Sequence, residues 1–257
     1  MKKVLIAAAV TIVTGMCSAQ AADPAARPYW SGFYIGINSG GGSADGSAPL
    51  RNCSSDNYDN SGAWLGPFGC NNAWGGTVGG QIGYRRQAAN WVFGIEGQGN
   101  WANFSAGSDP ANLDPGALAL KSRTESLGLI TGQIGYAWDN VLYYVKGGGA
   151  VVGSKYNLST GPNYGNNVPG GTVLGWGSDT RWGGTVGTGL EVGFASNWSI
   201  GVEYDHIFLS GRGVPLTPTE FALANNLNTG TLRVRQNIDI GFVRLNYRFG
   251  GPTVARY

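Results

Sequence analysis

Aromatic side chains recur at intervals of about ten residues on four segments of the chain. The pairs are Trp74 and Tyr84, Trp91 and Trp101, and Trp198 and Phe208, each ten residues apart, and Trp182 and Phe194, twelve apart. The two members of each pair share a parity, so in a β-strand both point to one face. Ten residues of tilted strand rise roughly 25 Å, the height of the lipid-facing band of a transmembrane barrel. Because membrane–water interfaces select aromatic rings, we predict that these residues form two lipid-interface girdles.

Short and long connections alternate between the segments with this pattern. The hexapeptide Trp-Gly-Gly-Thr-Val-Gly begins at both Trp74 and Trp182, and Gly-Gln-Ile-Gly-Tyr begins at both Gly80 and Gly132. Alternating links between strands of about ten residues are typical of an outer-membrane barrel. We therefore predict an all-β fold: an eight-stranded antiparallel transmembrane β-barrel with short periplasmic turns and long extracellular loops. The expected strands are 29–40, 73–85, 91–104, 123–137, 141–157, 181–194, 198–210 and 232–249.

The charged residues of these strands have the parity opposite to that of the aromatic residues. They are Arg85, Glu96, Arg123, Glu125, Lys146, Arg181, Glu191, Glu203, Asp205, Arg244 and Arg248. Ionised groups facing lipid are costly, so this face is predicted to be the barrel interior. Two interpretations remain open: the charges pair and fill the barrel, or they line a narrow gated pore. A soluble, lipocalin-like barrel would place its apolar face inside and is therefore disfavoured.

The upper half of the last strand does not follow this pattern. Ile238, Ile240 and Phe242 have the parity of the charged face, whereas Val243 and Tyr247 have that of the lipid face. A β-bulge near Phe242 would explain the change, and so would a stretch above the lipid.

The first residues of the chain have the pattern of a secretory signal. A basic start, a short apolar stretch and a small-residue cleavage site predict a signal peptide over 1–21. Removal of Lys2 and Lys3 leaves 15 basic and 15 acidic side chains, so no charge excess points to nucleic acid. We expect a short periplasmic segment at 22–28, the outer-membrane barrel at 29–249 and a tail at 250–257.

Two cysteines remain after the predicted cleavage site, Cys53 and Cys70. Export implies an oxidising compartment, which favours a disulfide between them over two free thiols.

Both ends of the predicted barrel resemble a known family. The segment Trp30-Ser31-Gly32-Phe33-Tyr34-Ile35-Gly36, the ending Asn246-Tyr247-Arg248-Phe249-Gly250 and the Gly-Tyr hairpins between them are similar to small outer-membrane proteins of the RopB type from α-proteobacteria. This porin-like family includes surface immunogens. The resemblance implies an eight-stranded barrel whose last strand ends in an aromatic assembly signal, here either Phe249 or Tyr257. Members are described as structural surface proteins, possible porins and, in some cases, haem binders.

His206 is the single histidine of the chain. Asp205, His206 and Ser210 share a strand and suggest an acyl hydrolase acting on lipid A, but parity places Asp205 inward and the other two outward. An interfacial histidine is the preferred interpretation. The chain has no GxxxxGK[ST], HExxH, GxSxG or CxxC motif. We therefore expect no catalytic residue, no metal site and no cofactor.

A capping pattern in the last long loop predicts a short helix. Thr217 is the expected N-cap, followed by Pro218 and Glu220, with Phe221, Ala224 and Leu227 on one face.

The sequence therefore favours a structural, surface-exposed protein that contributes to envelope integrity. The alternatives are a small passive channel for solutes and, less favoured, a haem binder or a lipid A-modifying enzyme. Expected partners are outer-membrane lipid and the barrel-assembly machinery, with no nucleic acid, and the barrel is expected to be monomeric.

Overall fold

The fold is taken from a computed structural model that describes residues 30–45, 73–107, 118–161, 168–226, 229 and 231–249. Strands account for most of these residues. Their bounds are β1 Gly32–Asp45, β2 Ala73–Ala88, β3 Trp91–Gly107, β4 Leu118–Trp138, β5 Val141–Thr160, β6 Val173–Gly193, β7 Trp198–Pro215, β8 Thr217–Pro218 and β9 Thr231–Arg248. One helix, α1, spans Glu220–Ala224 between β8 and β9.

The eight long strands form one closed antiparallel sheet. Each pairs with its neighbours in chain order from β1 to β7, and β9 pairs with β7 on one side and with β1 on the other. The short β8 pairs with the beginning of β6, at Gly175 and Trp176. Because no long strand is left at an edge, every strand can satisfy its backbone groups within the sheet, as lipid requires. The predicted eight-stranded barrel is confirmed.

Three short connections lie together at one end of the barrel, which we call the turn end. They join β2 to β3, β4 to β5 and β6 to β7, and Ala89 and Asp139 adopt positive φ angles of 53° and 52° in the first two. The opposite end, which we call the loop end, carries the longer connections. Several strands extend further toward it than predicted: β6 begins at Val173 and β7 ends at Pro215. Strand pairing continues there beyond the segments that carry the lipid-facing pattern.

Aromatic residues ring the outer surface at the turn end. Phe33 contacts Tyr84 with ring centroids 4.8 Å apart, and Trp198 contacts Tyr247 at 5.0 Å. All eight residues predicted as girdles have exposed side chains: Trp74, Tyr84, Trp91, Trp101, Trp182, Phe194, Trp198 and Phe208. Trp101 and Trp182 are the most exposed of them, at 76% and 73% of their surface. The outer wall is therefore apolar where a soluble protein would be polar.

Strand β9 has no bulge near Phe242. Its register with β1 runs without interruption from Asn237 to Arg248. Ile238, Ile240 and Phe242 consequently point into the barrel, where each is at most 3% exposed. The bulge considered from the sequence is not formed, because the interior at this level is itself apolar.

A bulge does occur in β4, and it changes which side chains face inward. The register with β5 shifts between Thr124 and Ser126, so Thr124 is buried while Arg123 is exposed. Glu125 is partly exposed and forms an ion pair of 2.7 Å with Lys155 on the outer side. The prediction that Arg123 and Glu125 face the interior was therefore wrong, because parity reverses across a bulge.

Helix α1 forms in the predicted loop but begins later than expected. Its N-cap is Thr219, whose hydroxyl accepts a hydrogen bond from the Ala222 backbone N–H at 3.3 Å. Thr217, the predicted cap, instead belongs to β8 and pairs with Trp176. Ala222 is the buried residue of the helix, whereas Phe221 is 37% exposed. Among the described residues, no helix has the length and apolar character needed to cross a membrane.

Candidate functional site

The barrel interior holds the densest group of interacting polar side chains in the described structure. At its centre the Arg244 guanidinium lies between two carboxylates and contacts both Glu96 and Glu203. Its Nη1 also donates to the Tyr144 hydroxyl at 3.0 Å, and this hydroxyl donates to Glu203. Arg244 is buried to 1% exposure. A single guanidinium therefore connects strands β3, β5, β7 and β9 across the lumen.

Lys146 joins the same group of carboxylates from β5. Its Nζ lies 2.7 Å from Glu203 Oε1, 3.1 Å from Asp205 Oδ2 and 3.6 Å from Glu96 Oε1. Tyr34 completes the group by donating to Glu96 at 2.7 Å. Buried charges persist mainly when they are paired, and each charged side chain of this group has an oppositely charged partner. We call Tyr34, Glu96, Tyr144, Lys146, Glu203, Asp205 and Arg244 the central network.

A second ion pair lies closer to the turn end. Arg85 Nη1 is 2.8 Å from Glu191 Oε2, and Ser199 donates its hydroxyl hydrogen to the other oxygen of Glu191. The Arg85 guanidinium lies over the Tyr34 ring at 4.3 Å from its centroid. This contact links the pair to the central network through a cation–π interaction.

Amide side chains continue the polar interior along β1 and β2. Gln81 accepts from Asn38 at 2.6 Å and donates to Asn246 at 2.7 Å, and Asn100 donates to Asn38. These side chains are buried as well. The polar section of the lumen is thus crossed by several sets of direct hydrogen bonds.

An apolar section follows the polar one toward the loop end. Along β9 the inward residues change from Asn246 and Arg244 to Phe242, Ile240 and Ile238. These three pack with inward residues of neighbouring strands in one cluster: Ala44, Ala102, Phe104, Leu127, Leu129, Ala150, Val152, Ile207 and Leu209. The sequence analysis did not predict this section, although the parity of β9 indicated it. Further toward the loop end, α1 covers a second cluster with Ala222.

The fully buried charges of the described residues are evenly matched. Four are basic and four acidic: Arg85, Lys146, Arg181 and Arg244, and Glu96, Glu191, Glu203 and Asp205. Eight of the eleven charged residues predicted to face the interior are among them. Arg123 and Glu125 lie on the outer side, and Arg248 is half-buried at the turn end, where its Nη2 donates to the Ser196 carbonyl oxygen at 2.8 Å. Tyr34 and Tyr144, which were not predicted, are buried and share the parity of the inward residues Asn38 and Lys146, so their orientation was recognisable from the sequence.

His206 lies on the outer wall and has an acidic partner that the sequence analysis did not identify. Its Nδ1 is 2.6 Å from Asp239 Oδ1, and the Tyr204 hydroxyl donates to the same carboxylate. Asp205 points inward at 0% exposure, as parity predicted. Ser43 is the cross-strand neighbour of Asp239 on β1, so the order across the sheet is Ser43, Asp239, His206. A nucleophilic triad needs the histidine between the other two, and this order places the aspartate there.

Several predicted features fall outside the described residues. These are the signal peptide at 1–21, the segment 22–28, Cys53, Cys70 and the tail at 250–257 with Tyr257. Within the described ranges, no group of three or more His, Cys, Asp or Glu side chains is arranged to hold a metal ion.

Comparison with known proteins agrees with this architecture. Residues 9–249 match the model of the outer membrane protein beta-barrel domain family. The chain belongs to this family. It is an integral outer-membrane β-barrel protein, and the assignment covers all eight long strands.

One protein of known name and two solved structures are similar to this chain. The 31 kDa outer-membrane immunogenic protein of Brucella melitensis is 29% identical over 252 residues, which cover 95% of this chain and 93% of that protein. The predicted resemblance to small outer-membrane proteins that include surface immunogens is therefore confirmed. The solved structure of OprG from Pseudomonas aeruginosa is 11% identical, with a TM-score of 0.45, over 88% of this chain and all of that one. Ail from Yersinia pestis is 13% identical, with a TM-score of 0.40, over 85% and 99% of the two chains.

Proposed function

We propose that this protein is a structural component of the outer membrane, which contributes to envelope integrity and presents its loops at the cell surface. The observation that supports this role is the filled interior. Buried ion pairs of Arg85, Lys146 and Arg244 with four carboxylates occupy the half of the lumen near the turn end, and the apolar cluster around Phe242 occupies the section above it. Eight strands leave a lumen only wide enough for side chains, and here side chains occupy it.

A passive solute channel is the alternative function. A water-filled path would have to pass both the central network and the apolar cluster. Opening the network would separate Arg244 and Lys146 from Glu96 and Glu203, which leaves charges buried without partners. Wetting the cluster would expose Phe104, Ile207 and Phe242 to water. Both costs favour a closed barrel at rest.

Electrical recording in a planar lipid bilayer tests the choice between these functions. The purified, folded chain is expected to produce no stepwise current at neutral pH and moderate voltage. A variant with Ile240→Ser and Phe242→Ser provides the comparison, because it makes the apolar section polar while leaving the central network unchanged. Stable unitary currents from the wild-type chain would overturn the structural proposal in favour of the channel.

A lipid-modifying enzyme receives less support. His206 and Asp239 are arranged as a base and its orienting acid would be. The cross-strand neighbour of His206 on β6, however, is Val186. No hydroxyl therefore lies at the cross-strand position next to the histidine where a nucleophile is needed. The relatives are named outer-membrane immunogenic proteins, and this name refers to no reaction. We propose that the His206–Asp239 pair is a structural contact at the upper edge of the lipid band.

We also propose that this barrel has two partners, outer-membrane lipid at its apolar wall and the barrel-assembly machinery during insertion, and that it is monomeric.

A further inference from the structure

A small, partly enclosed cavity opens at the turn end, below the ion pair of Arg85 and Glu191. Its polar lining comes mainly from Trp30, Arg85, Glu191, Ser199, Asn246 and Arg248. In bacterial outer-membrane barrels the short turns face the periplasm, so this cavity is accessible from that side. We call it the periplasmic cavity.

The side chains of the periplasmic cavity contain more hydrogen-bond donors than they can satisfy. Five buried N–H-bearing nitrogens on four lining residues have no acceptor in the described part of the chain: Trp30 Nε1, Arg85 Nε, Arg85 Nη2, Asn246 Nδ2 and Arg248 Nε. Buried donors are nearly always paired in folded proteins. A group of them around one cavity therefore indicates a missing acceptor.

The acceptors of the cavity are already engaged. One oxygen of Glu191 accepts from Arg85 Nη1, the other accepts from Ser199, and Asn246 Oδ1 accepts from Gln81. Arg85 and Arg248 carry two positive charges against the one negative charge of Glu191. The lining residues of the cavity thus carry one more positive than negative charge and lack a free acceptor, a combination that suits one anionic group.

The geometry of Arg85 specifies the kind of anion. Its Nη1 is bound to Glu191 and one face of the guanidinium lies on the Tyr34 ring. The two unpartnered nitrogens, Nε and Nη2, form the side edge of the guanidinium, which binds the two oxygens of a carboxylate through parallel hydrogen bonds. Trp30, Asn246 and Arg248 also line the cavity, and each has a buried nitrogen without an acceptor.

We propose that the periplasmic cavity binds a carboxylate group presented from the periplasm, with Arg85 as the bidentate anchor and Arg248 as the second cation. A single carboxylate balances the charge of the site. It also supplies the acceptor that Trp30 and Asn246 lack.

Acetate and its neutral isostere acetamide test this assignment. Binding to the refolded full-length mature chain in detergent micelles is followed by saturation-transfer NMR at constant ionic strength and pH. Saturable binding of acetate but not of acetamide is expected. Arg248→Gln is expected to weaken acetate binding about tenfold or more, since it removes a charge-assisted hydrogen bond. Arg86→Gln makes the same charge change at an exposed neighbouring position and is expected to leave binding unchanged.

A second variant keeps the test decisive if changes at the arginines impair folding. Asn246→Asp places a carboxylate inside the cavity, so it should abolish acetate binding without lowering the melting temperature. The proposal is overturned if the wild-type chain binds no acetate, as would happen if a carboxylate of its own segments filled the site. Equal binding by wild type, Arg248→Gln and Asn246→Asp would overturn it as well.

Discussion

The free-energy cost of removing a charged side chain from its ion pair depends on how deeply the pair is buried in this barrel. Lys146 and Lys155 are on the same strand and both pair with carboxylates, but Lys146 is 1% exposed at its side chain and Lys155 is 62% exposed. A surface ion pair contributes little, because water already solvates both charges. A buried pair can contribute little net stability and still be costly to break, because the remaining partner stays desolvated.

Replacing each lysine with methionine tests this difference on one strand. Lys146→Met leaves the carboxylates of Glu203, Asp205 and Glu96 without their shared cation, and we expect a loss of about 3–5 kcal/mol of unfolding free energy. Lys155→Met should cost less than about 1 kcal/mol. Urea unfolding of the barrel in phospholipid vesicles, followed by tryptophan fluorescence, measures both values. Similar losses for the two variants would show that the interior is hydrated enough to screen its charges.

Among the secondary-structure elements, α1 is a short helix whose start is capped by one side chain, that of Thr219. The Thr219 hydroxyl caps the helix and also donates to the Val173 carbonyl oxygen at 3.0 Å, which attaches the start of α1 to β6. The helix has five residues, too few to be stable without such contacts. It places Ala222 over the cluster formed by Tyr156, Leu158, Leu174, Val214 and Leu216.

Alanine substitutions distinguish the observed cap from the predicted one. Thr219→Ala should destabilise the loop-end cover by about 1 kcal/mol, since it removes the cap. Thr217→Ala leaves the cap intact and changes only a side chain in β8, so it should have a much smaller effect. Limited proteolysis of the folded protein in detergent is the measurement, with cleavage around residues 219–226 as the readout. Faster cleavage of the Thr217→Ala variant than of Thr219→Ala would contradict this assignment.

The barrel as a whole places ionised groups inside and large apolar groups outside, the reverse of the usual arrangement in a soluble globular protein. Its outer wall carries exposed Trp101, Trp182, Ile130 and Ile95, each at least 68% exposed. Such a surface is stable against acyl chains and would associate in water. Unfolding the barrel in a membrane requires many inter-strand hydrogen bonds to be broken together, which makes the folded state resistant to detergent.

This inversion predicts the behaviour of the mature chain on a detergent gel. Unheated samples in dodecyl sulfate should migrate faster than boiled samples, because the closed barrel stays compact until heat opens it. Folded protein should also require an amphiphile to remain in solution. A folded species that stayed dispersed in plain buffer would contradict the membrane-facing assignment of the outer wall.

The fold was predictable from the sequence because a membrane imposes a strong and regular requirement. Lipid selects apolar residues at every second position and aromatic residues at the edges, so Trp74, Tyr84, Trp91 and Trp101 mark one face directly. The same alternation identified Arg85, Glu96, Lys146 and Arg244 as opposite to that face. Short turns and repeated hexapeptides then determined the strand count. All of these signals are local in sequence.

Which side chains pair with one another was decided only by the tertiary structure. The meeting of Arg244 with Glu96, 148 positions earlier in the chain, depends on the stagger of the closed sheet. The β4 bulge reversed the faces of Arg123 and Glu125, and the pairing of β7 with β9 brought Asp239 to His206. The free donor edge of Arg85 became evident only when its partners were located. Local pattern determines which face a residue occupies, whereas its partners depend on register, which the closure of the barrel sets.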